Sequence, residues 1–280
     1  MSCHTASTQI RLQRQGFTLQ RQKSIRFAVR STLRGTDDWH SLIKPFVADL
    51  AFRSLVKSRY YSEPHFRPYL CHAAVLFVDL SGYSRITAAL AHQGAHTISA
   101  VVNDYLYLLL KIIHTFGGDV VKFAGDAILV VWEGTLNDLQ IHVLAGAKCS
   151  YELQTRAGVH PIEGTDLKFR IHCGLPCGVL DSEVFEAPRH NNMQRLYHSV
   201  GGVPMEEIGD LVDLAESGKT CVSSDCAKYL HGWGQFGDVP GVYRHGKILE
   251  KLTLDNDMCK RLDKHVTKIL SERSLRRNSE

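Results

Sequence analysis

The chain has 280 residues, 44% of them hydrophobic and 22% charged, with a formal net charge of +4. That is the make-up of a soluble globular protein with one large domain, or a domain with tails. No apolar run approaches the ~20 residues that a membrane-spanning helix needs, so no membrane span is expected.

The charge is unevenly placed. Residues 1–36 carry seven Lys/Arg and no acid, and residues 260–280 carry seven Lys/Arg against three acids, which leaves −7 for the body between them. A nucleic-acid grip needs a clustered basic face, so no nucleic-acid partner is expected. The eight cysteines are scattered. Cys173 and Cys177 stand four apart with no second pair to complete a zinc spacing, and a chain of this size needs no disulfide framework. Reduced thiols in a cytoplasmic protein are expected. The alternative is a mitochondrial address, since the N-terminus is rich in Arg, Ser and Thr and free of acids.

In chain order, residues 1–36 read as a basic tail or targeting segment, and 37–70 as a helical lead-in. Leu42, Ile43, Phe46, Val47, Leu50, Leu55 and Val56 suit a docked helix within Asp38–Ser58, and Tyr60–Pro68 suits a connection. From Cys71 a continuous apolar run predicts a strand covered on both faces. After Gly82, Ile86, Leu90, Ile98, Val101, Val102, Tyr105, Leu106 and Leu109 recur at helical spacing until Gly117-Gly118 stops the helix. Val120–Phe123 and Ala127–Trp132 predict two strands joined by a tight Ala124-Gly125-Asp126 turn. A second long helix is expected over Asp138–Arg156, with Leu139, Val143, Ala147 and Leu153 on one face.

Further strands are expected at Leu167–Gly174, Gly178–Phe185, Tyr197–Val200 and Thr220–Ser223, with a polar loop over Glu186–Gln194. Helices are expected at Met205–Glu216 and Ser224–His231. The order predicts an α+β fold, a ferredoxin-like antiparallel-rich sheet with helices on one face. The domain is expected to run from 71 to 235, with 236–280 as a C-terminal extension.

Two carboxylates stand where a buried strand gives way to a turn: Asp79 in Phe77-Val78-Asp79-Leu80-Ser81-Gly82-Tyr83, and Asp126 in Lys122-Phe123-Ala124-Gly125-Asp126-Ala127. Mg²⁺ is held by one or two carboxylates while substrate phosphates complete its shell, so the pair reads as a metal–nucleotide site. Singly, Asp79 suits a helix cap and Asp126 a turn support equally well.

These two motifs, in this order, resemble the class III nucleotidyl cyclase catalytic domain, and within it the first catalytic half of the soluble, bicarbonate-responsive adenylyl cyclases. The resemblance runs from about Ala73 to Leu230. It implies conversion of ATP to cAMP and pyrophosphate by a two-metal phosphoryl transfer, with Asp79, Leu80 and Asp126 holding two Mg²⁺ ions, for which Mn²⁺ would substitute. Asp79 and Asp126 would be the catalytic residues. Leu80, Ser81, Gly82, Tyr83 and Ser84 would offer backbone N–H groups to the triphosphate, with Gly82 allowing close approach. His172 stands where the family has a phosphate-contacting lysine, and could serve there or be an ordinary strand histidine.

Lys122 matches a lysine that the soluble cyclases link to bicarbonate, or simply offsets the carboxylates, and Val200 matches a flanking position. The arginine expected near Gly209 is absent. The Asn and Arg that the second half of a cyclase pair brings to the transition state are also absent: those places hold Met205 and Gly209, or Glu206 and Asp210. A complementary half is therefore the expected partner, on another chain or a longer form, and a homodimer should be feeble. The alternative is a catalytically weak cyclase-like regulatory or nucleotide-sensing domain. Gly117-Gly118-Asp119 also prompts a diguanylate cyclase, but Val120-Val121 follow where acidic and aromatic residues should.

Overall fold

The computed structural model of the protein describes residues 47–60, 68–190, 193–239 and 246–278. The basic N-terminal segment, with Leu42, Ile43 and Phe46 of the lead-in helix, lies outside them. Helix α1 spans Asp49–Tyr60, and β1 follows at Tyr69–Ser81. The single helix expected after Gly82 is divided into α2 (Tyr83–Ala89), a short 3₁₀ turn at Ala91–Gln93, and α3 (Ala95–Thr115). The break falls at Gly94, whose φ of 88° is a left-handed setting that glycine tolerates and other residues resist.

Strands β2 (Asp119–Ala124) and β3 (Ala127–Gly134) form the expected hairpin, with Ala124 paired to Ala127 and Gly125 turning at φ 72°. Helix α4 (Leu139–Ala157) leads to β4 (Val159–Pro161), a strand the apolar pattern does not reveal, and then to β5 (Lys168–Leu175). Strands β6 (Cys177–His190) and β7 (Met193–Gly202) are long partners, which corrects the expected loop at 186–194. Polar residues there ride on paired backbone, so polarity alone misread them. Helix α5 covers Val203–Leu214, β8 Thr220–Ser223 and α6 Ser224–Tyr229. Residues expected to form an extension supply β9 (Gly234–Asp238), β10 (Gly246–Leu252) and α7 (Asn256–Asn278), and β10 pairs with β8.

The strand order is β2-β3-β1-β5-β8-β10-β9. β1 is antiparallel to both β3 and β5, and only β5–β8 is parallel among these pairs. The first four positions are thus the ferredoxin-like sheet expected from the element order. At its start β1 also pairs with β6, and the change of partner comes at Pro176, whose carbonyl accepts from the Val75 N–H.

Both faces of β1 are buried. Ala74, Leu76 and Val78 point into the core under α3 and α4, whereas Ala73, Val75 and Phe77 pack with Leu50 of α1 and Ile208 and Val212 of α5. The two long helices share one face as expected; α1 and α5 occupy the other. Tyr105 of α3 anchors the first face by stacking on Phe169, centroids 4.6 Å apart, while its hydroxyl donates to the Ala157 carbonyl. Across the β6–β7 pair, Phe185 stacks on Tyr197.

Asp119 has a structural role. It is 8% exposed, and its carboxylate accepts the backbone N–H groups of Asp49 and Leu50 at 3.2 and 2.9 Å, satisfying the start of α1. Arg273 of α7 bonds Asp49 and donates to the Gly118 carbonyl, so α7 closes over the same junction. Gly118 is required by packing: a Cβ there would meet Val130 at 2.6 Å and Ile113 at 2.7 Å. The Gly117-Gly118-Asp119 signal is therefore a packing and capping device.

Beside this junction is a cleft of about 170 Å³ lined by Arg53, Glu133, Asp138, His142, His265 and Arg273. His142 is 3% exposed and meets His265 edge to face at 4.9 Å. Burial, helped by His265, pulls its pKa from 6.5 to about 4.

Two outcomes are expected from this region. Asp119→Ala should cost ~2 kcal/mol or more, because it strips a cap and leaves buried donors without a partner; a lowered urea midpoint at unchanged slope would show it. His142 is neutral when folded, whereas the unfolded chain takes up its proton near pH 6.5. Its contribution is complete above that pH and is lost as pH falls toward 4. Between pH 7.5 and pH 5 the loss is about 2 kcal/mol, and urea titrations of His142→Gln should lack that part of the decline.

Candidate active site

The carboxylates come together because β1 pairs with β3. In the register Val78 faces Ile128, so the next residue, Asp79, lies beside the turn that carries Asp126. Asp79 is the first charged residue after a run of six that are at most 4% exposed, and its side chain is 31% exposed. Burial first, then the carboxylates of Asp126 and of Asp213 on α5, push its pKa above the usual range; His172 and the Leu80 N–H pull it back. The charges of Asp126 and Asp213 thus act on a partly buried carboxylate and disfavour its ionised form.

On the other side of β1, His172 of β5 stands directly opposite Asp79. Its Nε2 is 3.2 Å from Asp79 Oδ2, and its Nδ1 is 2.8 Å from Ser81 Oγ. The β1–α2 turn follows. Gly82 has φ 90° and open space before its Cα, with only Ile86 as near as 4.0 Å from a notional Cβ. Tyr83 leans on the core, whereas Ser84 is exposed. Leu80 is buried, so only its backbone is available to a ligand.

Lys122 is half-buried, and burial lowers its pKa. Its charge acts on His198 of β7, whose pKa falls to about 4, chiefly through burial. Val200 packs against the α1/α5-side core. Met205, Glu206, Gly209 and Asp210 all lie on α5, and no Asn or Arg is present on that helix.

Sequence reasoning missed Asp213 and the ion-pair contact of His172 with Asp79. Only the sheet order and register bring those residues together. Among the described residues no three His, Cys, Asp or Glu side chains converge to hold a metal by themselves. Two carboxylates and a backbone carbonyl suit a hard cation whose shell a bound polyphosphate completes.

No family model matches the chain. It is 28% identical to adenylate cyclase type 10 of Rattus norvegicus over 158 residues, 54% of this chain and 9% of the relative. The chain therefore matches about a tenth of the length of that relative. Its structure is similar to the adenylyl cyclase CyaB of P. aeruginosa, with TM-score 0.50, 19% identity, and coverage of 68% of this chain and 98% of that one. It is also similar to the guanylate cyclase domain of RhGC from Catenaria anguillulae, solved with GTP, with TM-score 0.52, 14% identity, and coverage of 67% and 100%.

The fold is that of a class III nucleotidyl cyclase catalytic domain. By sequence the chain is similar to adenylate cyclase type 10, and by fold to both adenylyl and guanylyl cyclase domains. No described helix is long and apolar enough to cross a membrane.

Proposed function

We propose that this chain is the metal-bearing half of an adenylyl cyclase, forming cAMP and pyrophosphate from ATP when paired with a complementary half. The observation that carries the reading is the meeting of Asp79 and Asp126 at the exposed end of a strand otherwise buried on both faces. Asp79, Asp126 and the Leu80 carbonyl would hold Mg²⁺, which when bound lowers the pKa of the ribose 3′-hydroxyl and neutralises charge on the leaving pyrophosphate. The raised pKa of Asp79 supports this, since carboxylates that disfavour one another gain most from a shared cation.

The chain's own residues would orient the triphosphate. Backbone N–H groups of the Ser81–Ser84 turn, opened by Gly82, would be offered to it. Helix α2 has only seven residues, so this contact rests on the turn itself rather than on a long helix dipole. Covered β1 keeps Asp79 fixed, so little reorganisation is needed as charge develops.

Helix α5 limits what the chain does alone. The places where a complementary half offers Asn and Arg hold Met205 and Gly209, or Glu206 and Asp210, none of which donates a side-chain hydrogen bond when ionised. Lys122, lowered by burial, would gain from a small anion, and with Val200 is the candidate site for bicarbonate.

The test is cAMP and cGMP formation with Mg²⁺ or Mn²⁺, by the chain alone and with a complementary half bearing the Asn/Arg pair. The pair should be active, and the chain alone lower by ~10³-fold. Asp79→Ala and Asp126→Ala should each lower the paired rate on the order of 10²-fold or more. Unchanged rates in both variants would sink the metal assignment. Silence in every pairing, with nucleotide still bound, would favour a nucleotide-sensing domain instead.

A further inference from the structure

The cleft beside the α1–α7 junction holds two imidazoles that take no part in the candidate active site. His142 of α4 and His265 of α7 meet edge to face, with ring centroids 4.9 Å apart. His142 is 3% exposed, and among the described residues neither its Nδ1 nor Nε2 of His265 has a hydrogen-bond partner. A protonated imidazole donates from both nitrogens, so a charged His142 would bury an N–H with no acceptor.

The charged groups around His142 have their own partners. Asp138, at the start of α4, is the acid that favours a charge on His142, but its Oδ2 accepts the Thr135 hydroxyl at 2.6 Å and N–H at 3.2 Å. On β3, Glu133 pairs with Arg53 of α1 and accepts from Tyr69. Asp119 of β2 accepts the N–H groups of Asp49 and Leu50. On α7, Arg273 pairs with Asp49, and Lys268 lies 3.9 Å from Glu272. Burial first, then His265, Arg273 and Arg53, oppose a positive charge on His142.

Helix α7 is held unevenly. Met258 and Leu262, in its first half, are 4% and 3% exposed and belong to the main core. From His265 onward it rests chiefly on Val266, Ile269 and the contacts of Arg273 with Asp49 and the Gly118 carbonyl.

We infer that His142 and His265 form an acid-sensitive latch: protonation of the pair opens α7 from His265 onward and frees the junction that Arg273 closes. Opening removes His265 and Arg273 from His142 and admits water to its ring. It also takes away the cation that steadies the buried Asp119 carboxylate at the foot of the β2–β3 hairpin. The latch does not depend on the cyclase reading.

The sign follows from the two states. Closed, His142 titrates at about 4; open, it returns toward 6.5, so a proton taken up below pH 6.5 favours the open form. Between pH 7.5 and pH 5 the opening constant should rise by up to ~30-fold.

The test is hydrogen exchange of the full chain, read peptide by peptide as protection factors corrected for the intrinsic pH dependence of exchange. Over that range, residues 266–275 should lose up to ~30-fold protection, while residues 256–262 and strand β1 hold theirs. In His142→Gln the loss should vanish. Arg273→Gln should raise exchange of the same residues at every pH and keep the pH slope, which separates the clamp from the sensor. An equal loss in His142→Gln, a parallel loss in β1, or no loss at all would each overturn the latch. If His142→Gln does not fold, nuclear magnetic resonance titration of the His142 ring in the unaltered chain decides. A value below 5 supports the latch, and a higher value overturns it.

Discussion

Everything at this site depends on the burial of β1 on both faces. The strand has β3 on one side and first β6, then β5, on the other, and from Ala73 to Val78 no residue is more than 4% exposed. A strand so enclosed tolerates a carboxylate only where its cover ends. Asp79 stands at that point, and the glycine turn after it directs the chain away into α2. Because β1 cannot slip by one residue without turning its inner side chains outward, the position of Asp79 is set by the core.

The neighbours of Asp79 come from three directions. The β2–β3 turn brings Asp126, β5 brings His172, and α5 brings Asp213. Two of these are acids, and His172 makes an ion-pair contact with the Asp79 carboxylate at 3.2 Å. Carboxylate charge therefore dominates the field at Asp79 on this side of the sheet. Helix α5, lying on the α1 side of the sheet, adds no Asn or Arg. On the proposed reading, the chain would carry the metal-holding side of the site and lack the Asn and Arg of a complementary half.

At the other end of the β2–β3 hairpin, charge is used differently. Asp119 closes the start of α1, Arg273 ties α7 to Asp49 and Gly118, and Arg53 pairs with Glu133, which also accepts from Tyr69. This network joins the lead-in and C-terminal helices to the hairpin that carries Asp126. Asp119 and Asp126 are seven residues apart on one hairpin, the first buried and the second partly exposed.

Local elements and the two strand-end aspartates were legible in the residues alone, because they depend on short-range patterns. The apolar run at 73–78, the helical spacing of Val102, Tyr105 and Leu109, and the Gly125-Asp126 turn each appear in the structure at or near the expected place. Pattern misjudged 186–194, where long paired strands are polar, and the break at Gly94, where one backbone angle outweighs the helical periodicity on either side. Which residues meet was a matter for the folded chain. That Asp119 caps α1, that Asp213 acts on Asp79, and that His172 contacts Asp79 and hydrogen-bonds Ser81 all follow from sheet order and register. Those are properties of pairings between distant segments, and they leave no mark on the local spacing of residues.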